Sequence, residues 1–242
     1  MKVLSIGNSF SEDAQRYLHG IAMADGFDLY CVNLCIGGCP LSYHAENIRT
    51  GEQRYVFQEN GVITERLMSL REGLSLEEWD VVTIQQVSIN SFKEETYYPH
   101  IIELADFIRR LAPKAKLLIQ QTWAYEQDSE RIIEVWGNGN ASEMLCAIKK
   151  AYTRAKNEIN ADGIIPSGEL FAKMIENGVS KIHRDTFHAS WGLGRYALGL
   201  LWYRSLTGRD VLENAYSDFD EPVEASEIAI AKACADKFEK VI

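Results

Sequence analysis

Five short, mostly apolar runs separated by segments of helical periodicity constrain this chain more than any other feature. The runs are Lys2–Ile6, Leu29–Cys35, Trp79–Ile84, Lys116–Gln120 and Gly163–Ile165. Each has the length of a buried strand. Phe10–Ala24, Tyr98–Leu111, Ala141–Ile159, Ser167–Glu176, Ser190–Leu206 and Glu224–Val241 read as helices, and Val56–Leu74 as mixed and mostly helical. Strands alternating with helices predict an α/β fold, a parallel sheet of about five strands covered on both faces with right-handed crossovers. No repeat, low-complexity tract or Pro/Gly/Ser linker divides the 242 residues, which predicts one domain over 1–242.

In open α/β sheets, ligands bind beyond the carboxyl ends of the strands. Gly7-Asn8-Ser9, Gly37-Gly38, Gln85-Gln86-Val87-Ser88 and Gln121-Thr122-Trp123 all fall at such ends. Two long connections leave the same rim, Cys39 to about Val62 and Thr122 to Asn140, and read as walls or lids of a pocket.

Composition excludes several classes. The net charge is −10, from 35 acidic and 25 basic residues, with no basic cluster. Neither nucleic acid nor an anionic membrane is an expected partner. The most apolar segment, Trp191–Leu206, is too short to span a bilayer and contains Arg195 and Arg204. Met1-Lys2-Val3-Leu4 runs into a strand pattern rather than a signal peptide, so a cytoplasmic protein is expected. Five cysteines include Cys31, Cys35 and Cys39 at every fourth position. No cysteine or histidine pair follows at zinc-ligand spacing, so neither metal nor cofactor is expected.

The chemistry points to a serine. Asp185-Thr186-Phe187-His188 places an acid and an imidazole at i and i+3, and Ser9 follows the first strand. Together they supply nucleophile, orienting carboxylate and base in the order Ser…Asp…His, and such triads are defined by geometry rather than sequence position. Ser9-Phe10-Ser11-Glu12 also has capping-box spacing, so Ser9 or Ser11 could serve as a helix cap. His183 and His188 are five apart, which does not suit metal binding from one helical face.

These motifs resemble those of the SGNH hydrolase superfamily, the GDSL-type esterases and lipases, over essentially the whole chain. Gly7-Asn8-Ser9 matches the family's Gly-Asp-Ser block with Asn in place of Asp. Gly37 or Gly38 matches the glycine of the second block, and Asp185 and His188 match the last. The third block, Gly-x-Asn-Asp, is missing; Gln85-Gln86-Val87-Ser88-Ile89-Asn90 stands there. The resemblance implies a three-layer α/β/α, flavodoxin-like SGNH fold and a small-molecule ester substrate, such as an acetyl ester on a carbohydrate. It implies an oxyanion hole formed by the N–H groups of Ser9 and Gly37 or Gly38, with Gln86 or, second, Asn90 as a further donor. Trp123, Tyr125 and Trp136 are candidates to stack on substrate, and Ser88 and His44 to line its pocket. Two other readings stand beside this one. A flavodoxin-like phosphate site at the first helix is opposed by Glu12 and Asp13. The other is a catalytically inactive, glycan-binding relative.

Overall fold

In the computed structural model, which describes residues 1–242, the five apolar runs become the parallel strands of one sheet. They are β1 (Lys2–Gly7), β2 (Tyr30–Cys35), β5 (Val81–Ile84), β6 (Lys116–Gln120) and β7 (Gly163–Ile165). The sheet has seven strands in the order β4-β3-β2-β1-β5-β6-β7. The two extra strands, β3 (Tyr55–Glu59) and β4 (Val62–Met68), form an antiparallel hairpin at one edge. This corrects the mostly helical reading of Val56–Leu74. Tyr55, Val56 and Phe57 favour a strand, and Asn60-Gly61, both at positive φ, is a strong hairpin-turn signal.

Helices cover both faces. In chain order they are α1 (Ser9–Gln15), α2 (Leu18–Ala24), α3 (Leu41–Thr50), α4 (Leu70–Leu74), α5 (His100–Leu111), α6 (Glu130–Trp136), α7 (Ala141–Glu158), α8 (Ser167–Glu176), α9 (Leu193–Thr207) and α10 (Ala225–Ala235). The expected single helix Phe10–Ala24 is two, broken at Arg16-Tyr17. α1, α2, α8 and α10 pack on α9, while α3, α4 and α5 form a second group. α9 is buried nearly all round, which explains its lack of a polar stripe. No helix is long and apolar enough to cross a membrane.

The register aligns the carboxyl ends. Gly7 pairs with Cys35, Ile84 with Ile6 and Ile119, and Gln120 with Ile165. Ser9, the Gly37-Gly38 turn, the Gln85–Ser88 segment and the Gln121–Trp123 segment therefore leave the sheet at one rim.

Candidate active site

The turn from β1 into α1 is held by its own polar groups. Asn8, not Ser9 or Ser11, caps α1: its Oδ1 accepts from Phe10 N–H at 3.0 Å. That leaves Ser9 at the first helical position, with a backbone N–H that a helix does not pair. Ser11 Oγ lies 2.8 Å from both the Asn8 carbonyl and Asn33 Oδ1, which share its one hydrogen. Gly7 permits this closeness, because a Cβ there would overlap Ser11 Oγ.

The Gly37-Gly38 turn is tied to the same residues. Ile36 N–H donates to the Gly7 carbonyl at 3.2 Å, and Asn8 Nδ2 donates to the Cys39 carbonyl at 3.2 Å. Within the turn, Cys39 N–H donates to the Ile36 carbonyl at 3.2 Å. Gly38 has φ +63°, a left-handed conformation that suits glycine. Both glycines are exposed, and neither N–H has a partner within the chain.

Ser9 Oγ lies 2.8 Å from His188 Nε2, across 179 residues. His188 Nδ1 lies 2.7 Å from Asp185 Oδ2, and His188 N–H donates to Asp185 Oδ1 at 2.8 Å. Thr186, with φ +73°, turns the loop between them; strain at a β-branched residue is typical of functional loops. Partial burial pushes the Asp185 carboxyl up, but the bonds from His188 pull it further down, below the usual carboxylate value. The imidazole lies against rings, with centroids 4.0 Å from Phe187 and 5.7 Å from Phe10. Ser9 is half-buried and the His188 side chain is 18% exposed, so the site is open to solvent.

The other expected site residues are placed differently. Gln86 is buried and fully bonded. Its Oε1 accepts from Leu41 and Val87 N–H at 3.0 and 2.8 Å, and its Nε2 donates to Thr96 O and Oγ1, both at 3.1 Å. It braces two loops and has no hydrogen to spare for an oxyanion, which corrects the expectation. Asn90 accepts through its backbone carbonyl from Lys93 N–H and is half-buried in a short 3-10 turn.

Trp123, Tyr125, Ser88 and His44 are all buried, so none presents a surface to substrate. Trp123 stacks on Phe10 at 4.2 Å and its Nε1 donates to the Phe187 carbonyl at 2.7 Å. It links α1 to the His188 loop. Tyr125 and Ser88 bond each other through their hydroxyls at 2.9 Å. His44 bonds Tyr55 OH at 2.8 Å, and complete burial pushes its pKa down to about 3. Trp136 is half-buried and meets Phe92 edge-on at 5.1 Å.

All five cysteines are free thiols, four of them buried. His183 Nε2 lies 3.1 Å from the Ala124 carbonyl, and burial pushes its pKa down to about 4. No three His, Cys, Asp or Glu side chains are grouped so as to hold a metal ion. The sequence reading missed Asn8 as the cap and loop tie, although Asn after a strand is a cap signal.

The family described as a domain of unknown function, DUF4886, matches residues 2–237. A DUF4886 family protein from Bacteroides uniformis is 32% identical, with a TM-score of 0.89, over 98% of this chain and 93% of that one. A candidate SGNH hydrolase from Slackia heliotrinireducens is 19% identical, with a TM-score of 0.60, over 84% of this chain and 97% of that one. A variant of an acetyl xylan esterase from Geobacillus stearothermophilus is 14% identical, with a TM-score of 0.50, over 84% of this chain and 91% of that one. The fold is thus shared with SGNH hydrolases. No functionally curated protein matches the chain.

Proposed function

The chain belongs to the DUF4886 family, and we propose that it is a serine esterase acting through Ser9, His188 and Asp185. The observation that carries this reading is the continuous chain from Ser9 Oγ to His188 Nε2 (2.8 Å) and from His188 Nδ1 to Asp185 (2.7 Å). His188 takes the Ser9 proton as Oγ attacks an ester carbonyl, and returns it to the leaving alcohol. Asp185 fixes the tautomer and stabilises the imidazolium. The Ser9 N–H and the Gly37-Gly38 turn receive the developing oxyanion. Water then repeats the cycle on the acyl-enzyme.

The substrate class we propose is a small acyl ester, with acetyl on a carbohydrate as the leading case. The shared fold with an acetyl xylan esterase supports it, as does the solvent-open site. The test is a panel of nitrophenyl esters and acetylated sugars, together with a fluorophosphonate probe, on wild type and Ser9→Ala. The expected result is hydrolysis and labelling in the wild type and neither in the variant. Equal turnover in both would remove Ser9 from the reaction.

A further inference from the structure

The nucleophile and the acid–base pair come from distant parts of the chain, and a buried carboxylate joins them. Asp13 lies one turn beyond Ser9 on the same face of α1. Its side chain is fully buried. Arg184 Nη1 donates to both carboxylate oxygens at 2.9 Å, Arg195 Nε donates to Oδ1 at 2.8 Å, and Ala189 N–H donates to Oδ2 at 3.2 Å. Arg184 immediately precedes Asp185, and Ala189 immediately follows His188. One carboxylate on the nucleophile helix therefore grips both ends of the acid–base loop.

The grip is itself supported. Arg184 also donates to the Ala189 carbonyl, closing the loop on itself. Arg195, from α9, continues to Asp220 at 2.9 Å, and Asp220 accepts from Arg16 at 2.9 Å. The Arg184 and Arg195 guanidinium groups each lie 4.0 Å from the centre of the Trp191 ring. Well-packed apolar residues would stabilise a helix–loop contact as well as a buried ion pair does. What charged hydrogen bonds add is a fixed distance and direction.

We propose that Asp13 is a positioning residue that sets His188 Nε2 within reach of Ser9 Oγ by clamping the Arg184–Ala189 loop to α1. It touches neither substrate nor the reacting atoms. The proposal rests on the esterase reading, and its test separates the two.

Asp13→Asn keeps the shape and removes the charge. The readouts are kcat and KM for a nitrophenyl ester well below the melting temperature, and the downfield proton resonance of the His188–Asp185 bond, assigned with His188→Gln. The expected result is a folded variant with kcat lower by about 10- to 100-fold, the scale of a small misplacement, KM within about threefold, and that resonance broadened or lost. A merely structural role lowers the melting temperature and leaves both readouts at wild-type values, which overturns the proposal. If Asp13→Asn does not fold, Arg184→Gln decides by the same readouts, since it leaves the Arg195 and Ala189 contacts to Asp13 in place. Its kcat is expected to fall several-fold; wild-type behaviour overturns the clamp. A wild type without Ser9-dependent hydrolysis removes the esterase reading, and the Ser9 Oγ–His188 Nε2 distance in crystal structures of wild type and Asp13→Asn then decides: a lengthened contact in the variant upholds the clamp, and an unchanged one overturns it.

Discussion

Asn8 donates its side-chain amide to the Cys39 carbonyl at 3.2 Å while its Oδ1 caps α1, so one residue ties the Ser9 turn to the glycine turn. An aspartate there can still cap but cannot donate. Asn8→Asp is expected to lower kcat by about tenfold, roughly the share of one weakened oxyanion donor, with a smaller change in KM. It also places a charge at a site that is 1% exposed, at a stability cost of about 1–3 kcal/mol. Steady-state kinetics with parallel thermal melts check both, and unchanged values in each count against the tie.

Asp185 accepts from both the ring and the backbone of His188. Asp185→Asn presents an amide that favours the wrong tautomer. Turnover is expected to fall by about 10³-fold, toward the low end of such losses because the Asp185 side chain is 46% exposed. A fall of less than about tenfold in single-turnover assays would show that the imidazole does not depend on this carboxylate.

Gly7 is required for space rather than for its φ. A Cβ there meets Ser11 Oγ and crowds Gln85. Gly7→Ala is expected to destabilise by about 1–3 kcal/mol, the usual range for overpacking. Denaturant unfolding measures it, and a midpoint equal to wild type would show that the turn yields freely.

Gln86 holds Leu41 N–H, Val87 N–H and Thr96 together. Gln86→Ala leaves buried groups without partners and is expected to cost about 1–3 kcal/mol. Turnover should stay within about threefold. A large loss of kcat at unchanged melting temperature would instead return this amide to the oxyanion hole.

Acid stability follows from two histidines. In the folded chain His44 titrates at about 3 and His183 at about 4, both held down by burial. An unfolded histidine titrates near ~6.5. As pH falls below that value the unfolded chain takes up these protons and the folded chain does not. Stability is therefore lost between roughly pH 6.5 and 4, by up to about 1.4 kcal/mol per pH unit for each histidine. Asp185 and Asp220, whose folded values are depressed, add their losses below about pH 4. Thermal melts from pH 7 to 4 should steepen in this way. His44→Gln should flatten the slope by one proton, and an unaltered slope would remove His44 from the account.

The parallel strands and the residues that meet at the candidate site were legible because each stands in a local pattern. Apolar runs mark buried strands, and Ser9, Asp185 and His188 are chemically distinctive. The β3–β4 hairpin was obscured because exposed Val62, Ile63 and Leu67 blur its alternation, although Asn60-Gly61 signalled its turn. The substrate contacts failed for another reason. Trp123 and Tyr125 sit in a loop that folds inward, and composition does not distinguish an inward aromatic from an outward one. Asp13 was read as a first-turn acid that would repel phosphate. Its partners Arg184 and Arg195 lie more than 170 residues away, beyond any local window.

The bond between Ser9 and His188 spans 179 residues. Contacts of such separation carry the loop-closure entropy of nearly the whole chain and depend on every intervening crossover. Helices and the β3–β4 hairpin form from neighbours, whereas this pair meets only when the turn after β1 and the loop after α8 come together. On the esterase reading, activity is thus a late reporter of folding. On refolding from denaturant it should return after far-ultraviolet circular dichroism does.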